Sequence, residues 1–374
     1  MSKATIAFAD YFTDLPDPRM DRTKKHLLGD ILVIAVCAVI AGADSFPEIE
    51  TFGKAKESWL RRFLALPNGI PSHDTFNRVF AALDRRAFAD CFARWMAGLA
   101  GAVGLRAVAI DGKAVRAAPR DTFSGCLHLV SAWAVENRLI LGQEAVADGA
   151  HEITAIPELL RLLELKGALV TIDAAGCQVE IARQIRANKG HYLLAVKGNQ
   201  PGLQDAVRAV FDRACATDFA GLRYDTHGQV EDGHGRHEER YVTVVYDPEG
   251  LPPQWPDVAA VVLVGREREA GGKNVSTAHY YITSYRGRAS ALGRHIRSHW
   301  GIENGLHWVL DVAFHEDANR TRLRNAGANL GLVRRVAASL LKQAPDKGSA
   351  KAKRLHAALD DTFLLRVLQG FQDN

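Results

Sequence analysis

Two stretches of this chain share a form that leaves few folds open to it. Residues 106–116 read Arg-Ala-Val-Ala-Ile-Asp-Gly-Lys-Ala-Val-Arg, and residues 168–176 read Ala-Leu-Val-Thr-Ile-Asp-Ala-Ala-Gly. In each, small and β-branched apolar residues run straight into an aspartate, the pattern of a buried strand that ends in a polar site. Two such strands side by side bring Asp111 and Asp173 within several ångströms of each other. Unit charges about 4 Å apart repel by roughly 4 kcal/mol at an effective dielectric of 20. A divalent cation removes that penalty, because Mg²⁺ prefers hard oxygen ligands. Taken singly, either aspartate is ordinary turn chemistry. The pair, and the order of elements around it, carries the reading.

That order begins with helices. Residues 1–98 read as a helical domain: Asp30 caps an apolar run over 31–43, too short to span a bilayer, and Ile49, Phe52, Trp59, Leu60, Phe63 and Leu64 recur at helical spacing. Pro71-Ser72 opens a further helix. Arg19, Arg22, Lys24, Lys25, Arg61, Arg62 and Arg78 form either a face that docks on DNA phosphates or the solvated side of a bundle.

Residues 104–199 read as strand, strand, strand, helix, strand, helix, strand, with a hairpin around Glu136-Asn137, a helix after Thr154 and a last strand that ends in Lys197-Gly198-Asn199-Gln200. Three meandering strands followed by alternating helix and strand is the order of a ribonuclease-H-like α/β fold, in which right-handed crossovers make the later strands parallel. Residues of about 200–278 change character, and glycines with β-branched runs predict a β-rich insertion of hairpins. Within it, the two arginines and two histidines of 233–240 fit a solvated or DNA-facing hairpin better than a metal site of His227, His234 and His237. Residues 289–308 return to helical pattern. There Ile302, Leu306 and Val309 share one face, and Glu303 and His307 lie one turn apart beside it. Arg320, Arg322 and Arg324 follow, then a helix over about 324–343 that carries Arg334 and Arg335. Residues 344–374 read as a basic linker and a terminal helix.

Composition adds bounds only. A chain of 374 residues exceeds one usual domain. Its net charge of +4 is too weak to imply nucleic acid without local clusters. Five scattered cysteines form neither a disulfide framework nor a zinc motif, which fits a reducing cytoplasm.

Several stretches together resemble a known family. Ile70-Pro-Ser-His-Asp-Thr-Phe76, Ala109-Ile-Asp-Gly-Lys113, His128-Leu-Val-Ser-Ala132, Asp173, Val196-Lys-Gly-Asn-Gln200, Gly233-His-Gly-Arg236 and His299-Trp-Gly-Ile-Glu-Asn304 are similar, in order, to DDE-type insertion-sequence transposases of the H-repeat-associated group. The resemblance implies a catalytic triad of Asp111, Asp173 and Glu303 and a ribonuclease-H-like core over 104–343, interrupted by the insertion. It implies a bacterial, nucleoid-associated protein that acts as a dimer on double-stranded DNA, both terminal inverted repeats and target. The wider group shows Tyr-x2-Arg-x3-Glu-x6-Lys, where this chain has Ile296, His299 and Leu310. Arg294, Arg297 and His307 are the available substitutes.

The chemistry agrees. Phosphodiester cleavage needs an activated water and a stabilised leaving 3′ oxygen, and two divalent ions held by shared carboxylates supply both. Asp111 is expected to bridge two Mg²⁺ ions, for which Mn²⁺ can substitute, with Asp173 and Glu303 holding one each. Lys113, Lys197, Asn199, Arg236, Arg297, His307, Arg320, Arg334 and Arg335 are expected at the DNA. A nuclease that never joins strands, or an inactive DNA-binding relative, are the competing readings.

Overall fold

The computed structural model describes residues 10–101, 107–120, 123–135, 139–147, 150–233, 236–270 and 273–369. The chain forms two compact units, one of Met1–Gly104, Gly112–Leu163 and Ile302–Asn374, the other of Leu105–Asp111 and Glu164–Gly301.

The first unit starts with α1 (Leu28–Ile40), α2 (Phe46–Ala55), α3 (Glu57–Leu60), α4 (His73–Ala82) and α5 (Arg85–Gly101). It then takes the latter part of β1 (Ala107–Arg120), followed by β2 (Phe123–Ala134), β3 (Leu139–Ala145) and α6 (Glu152–Arg161). It resumes with a π-helical turn (Glu303–His307), α10 (Trp308–Phe314), α11 (Ala326–Gln343), α12 (Ala350–Leu359) and α13 (Asp361–Gln369). The second unit holds the start of β1, then β4 (Leu169–Ile172), α7 (Val179–Ala187), β5 (His191–Val196), α8 (Pro201–Ala216), β6 (Tyr224–Gly233), β7 (Arg236–Tyr246), β8 (Ala260–Ala270), β9 (Lys273–Thr283) and α9 (Ala289–His299). Strand order is β3-β2-β1 in the first unit and β1-β4-β5-β9-β8-β7-β6 in the second, with β1 common to both.

Apolar residues on every side make α1 and α11 core helices. Every residue of α1 from Asp30 on is buried, as is α11 from Ala326 to Leu341, and α11 packs on α1, α4 and β3. The N-terminal helices therefore share a compact unit with β2, β3 and the C-terminal helices. Asp30 does not cap α1. It lies buried inside the first turn and accepts the Leu66 backbone N–H at 2.8 Å. Nor does Thr154 cap α6, which starts after His151.

In the second unit β1, β4 and β5 are parallel, as the crossovers require. The β-rich region differs from expectation at its start, where α8 is a sixteen-residue helix. Pro201 begins it, and Leu203, Val207, Val210, Phe211 and Ala214 form a buried stripe at helical spacing. Beyond it β6–β9 is an antiparallel meander that joins the core sheet, since Leu193 to Val196 of β5 pair with Thr283 to Tyr280 of β9. The Glu136-Asn137 turn and residues 234–235 lie outside the described residues. Residues 350–354, read as linker, are the first half of α12, which Ser349 caps through the Ala352 N–H. Among the described residues no helix is long and apolar enough to cross a membrane.

Candidate active site

The second unit places two of the three expected carboxylates together. Ala109 pairs with Thr171 and Ile110 with Ile172, so Asp111 and Asp173 are the next residues on neighbouring parallel strands. Neighbouring strands lie about 4.8 Å apart, and ligands of open α/β sheets gather at the carboxyl ends of such strands. Asp173 is exposed, and its Oδ1 accepts the Gly176 N–H at 3.3 Å; Asp111 is half-buried. Beside them, after the end of β5, Lys197 is exposed. The loop that carries it is tied to the Asp173 loop by Asn199, whose Nδ2 donates to the Ala174 carbonyl at 2.6 Å, and by Gln200, whose Nε2 donates to the Cys177 carbonyl at 3.0 Å.

His299 closes this end of the unit. It hydrogen-bonds Thr171, Nδ1 to Oγ1 at 3.0 Å, two residues before Asp173. Burial holds its pKa below the usual imidazole value, against the pull of the Asp173 charge. Glu303 follows His299 by four residues, begins the π turn of the first unit and is exposed. Ile296 and Leu310, which stand where the wider group has Tyr and Lys, are buried core residues. Among the described residues, no three His, Cys, Asp or Glu side chains are close enough to hold a metal ion.

In the first unit, Gly112 and Lys113 continue β1. A Cβ at Gly112 would meet the Glu152 carboxylate at 2.3 Å, so the bare backbone makes room for that side chain. Alternation along the strand puts Asp111 and Lys113 on the opposite face from Glu152. Lys113 is buried and ion-paired with Asp311 at 2.7 Å, Asp317 at 2.8 Å and Glu316 at 3.8 Å. Glu316 also pairs with Arg335, whose Nε donates to the Ser131 hydroxyl at 3.0 Å.

Three of the expected DNA contacts are thereby corrected. Lys113, Arg334 and Arg335 are buried, and Arg334 donates to the Asp44 carbonyl at 2.7 Å. A guanidinium or ammonium enclosed by the core cannot reach a phosphate. His307 is half-buried. Burial, then the Arg335 and Lys113 charges, push its pKa down to about 3, so it is a neutral imidazole at physiological pH. Glu316 and Asp317, the acids that follow α10, are paired with Lys113 and Arg335. Arg297 and Arg320 are exposed, and Arg320 and Arg322 line an open cleft of the first unit with Asn77 and His315. Arg236 opens β7 opposite Gly233. The Lys113 cluster itself escaped the sequence reading, because its partners lie about two hundred positions away.

Residues 103–340 match the family model described as Transposase DDE domain, and residues 9–96 match its companion, DDE_Tnp_1-associated. This chain belongs to the DDE transposase family. The transposase is 40% identical over 368 residues to "Putative transposase YncI" of Escherichia coli O157:H7, covering 96% of this chain and 93% of that one. It is 34% identical over 370 residues to "H repeat-associated putative transposase YhhI" of Escherichia coli K12, covering 96% and 97%. Its family is one of DNA-processing enzymes that work with divalent metal ions. The transposase has a donor set that suits such ions. The Asp111 and Asp173 carboxylates are hard oxygen ligands, and the nearby Cys177 thiol, its pKa pushed up to about 12 by burial, stays protonated and offers no soft competitor.

Proposed function

We propose that this protein cuts DNA at the terminal inverted repeats of an insertion sequence and joins the freed 3′-hydroxyl ends to target DNA. The observation that carries this reading is that Asp111 and Asp173 each come directly after the paired residues Ile110 and Ile172 of parallel β1 and β4. Asp111, Asp173 and Glu303 are the residues that would hold the divalent ions, Mg²⁺ or Mn²⁺. When bound, such ions acidify the attacking water and offset charge on the leaving oxygen. Asp111 and Asp173 would act on the reacting phosphate only through those ions, Asn199 keeps the Lys197 loop beside Asp173, and Lys197 receives the scissile strand's backbone. Glu303 supports this assignment by its exposure on a π turn, a distortion that occurs often at functional sites. Arg297 and Arg320 are assigned to the flanking duplex, with the protein acting as a dimer on paired ends.

The test is incubation of the purified protein with its own flanking repeats, a plasmid target and Mg²⁺. Nicked ends and strand-transfer joints are expected, with Mn²⁺ able to replace Mg²⁺. Cutting without joints would identify a nuclease. A gel shift with no metal-dependent cutting would identify a DNA-binding relative that has lost catalysis.

A further inference from the structure

The helical run that carries Glu303 is irregular, and two lysines from other elements hold it. Residues Glu303–His307 form a π turn that runs into α10. The Lys342 ammonium, from α11, donates to the Gly305 carbonyl inside that turn and lies 4.2 Å from the centroid of the Trp133 ring. At the far end, Asp311 of α10 is ion-paired with Lys113 of β1 at 2.7 Å. Lys113 shares its strand face with Asp111, two residues earlier.

Winding makes the π turn consequential. In a regular α-helix each residue advances by about 100°, so a residue eight positions on is offset by about 80°. A π turn, with its i→i+5 bonds, winds less per residue. It therefore brings Asp311 back toward the side of the helix that bears Glu303. The Lys113–Asp311 pair then grips the run on the Glu303 side, and Lys342 occupies a carbonyl of the widened turn. A regular helix would dissolve one of these contacts.

We propose that Lys342 and Lys113 are positioning residues that hold the π turn and, through it, set the direction of the Glu303 carboxylate. This rests on the assignment of Glu303 above. Neither lysine touches DNA or metal; each acts through the turn. Lys342→Met removes the carbonyl bond while keeping most of the side chain, whereas Lys342→Arg restores a donor. Lys113→Met leaves three carboxylates facing one another and can cost the fold, so Lys342 is the primary variant.

Three readouts are taken on the full chain: Mn²⁺ binding by electron paramagnetic resonance, amide hydrogen exchange over 303–307, and cleavage of labelled repeats. For Lys342→Met we expect at least tenfold weaker Mn²⁺ binding, faster exchange confined to the turn and about 10²-fold slower cleavage, the scale of a 1 Å misplacement. Gel-shift affinity for the repeats without metal is expected to stay within twofold, and Lys342→Arg to recover most of the loss. A Lys342→Met protein that binds Mn²⁺ and cuts like the parent, per folded molecule, would overturn the inference while leaving the function intact. A parent protein that neither binds Mn²⁺ nor cuts would remove the functional reading, and this inference with it.

Discussion

Five carboxylates on two sets of elements have opposite surroundings. Asp111 and Asp173 directly follow the paired residues Ile110 and Ile172 of neighbouring parallel strands, and Asp173 is exposed. Asp311, Glu316 and Asp317 of the first unit converge on Lys113, and Glu316, 0% exposed, is shared with Arg335. Two cations pair the second set within the protein. The first set lies beside the carboxyl end of β4. The contrast teaches which acids to read as structure and which as chemistry: acids matched by lysine and arginine hold elements together, and the two acids beside the carboxyl end of β4 are the ones proposed above as metal ligands.

The sharpest way to break this contrast is to neutralise one member of each set. Asp173→Asn is expected to reduce cleavage by about 10⁴-fold or more, since ligands acting as one unit fail together. Its urea midpoint should stay within error of the parent or rise. Glu316→Gln should do the reverse. It leaves Arg335 uncompensated in the core and costs about 3–5 kcal/mol of stability, with cleavage per folded molecule largely kept. A stable, inactive Glu316→Gln protein would show that the two sets had been assigned the wrong way round.

Acid titration sharpens the same point. His307 has a folded pKa near 3, well below its value of 6.5 in the unfolded chain. Between those values the unfolded state binds the extra proton, so stability is fully present above about pH 6.5 and is lost as pH falls toward 3. The slope contributed is at most about 1.4 kcal/mol per pH unit. Urea midpoints of the parent and of His307→Gln, compared from pH 7 to 4, should show a shallower decline in the variant. Equal declines would remove His307 as the source.

The smallest expected effect separates two basic runs. Arg320, Arg322 and Arg324 are exposed, whereas Arg334 and Arg335 are buried. Each exposed arginine that meets a phosphate contributes about −0.9 to the log–log salt slope on duplex DNA. Arg320→Ala and Arg322→Ala should each flatten that slope by about this amount in fluorescence titrations. Arg334→Ala should leave the slope unchanged and lower the thermal midpoint. A flatter slope in Arg334→Ala would contradict its burial.

What the sequence made legible was local. The strand before Asp173, the parallel crossovers and the buried helix over α1 all follow from periodicity within one segment, whereas β1, expected to end at Asp111, runs on to Arg120. α8 was hidden because the glycines and turn signals further along 200–278 set the reading of the whole stretch, although its own stripe from Leu203 to Ala214 was present. Arg334 and Arg335 were misjudged because charge reads as surface unless a partner is known, and the Ser131 that receives Arg335 lies 204 positions away. The π turn was illegible for the same reason. Its residues suit an ordinary helix, and the lysine that bonds its carbonyl comes from 37 positions further on.

Core helices built of small and branched apolar residues can slide. α11, with alanines, glycines and valines on most sides, has little in its hydrocarbon surface to distinguish one axial setting from the next. Its two arginines do distinguish them. Arg334 reaches the carbonyl of Asp44, and Arg335 reaches both Glu316 and Ser131. A shift of one turn, about 5.4 Å, would strand both guanidinium groups without acceptors. They serve as registration pins, the use for which buried polar groups are best attested. Because the same helix carries Lys342, the pins also fix the height at which the ammonium meets the Glu303 turn.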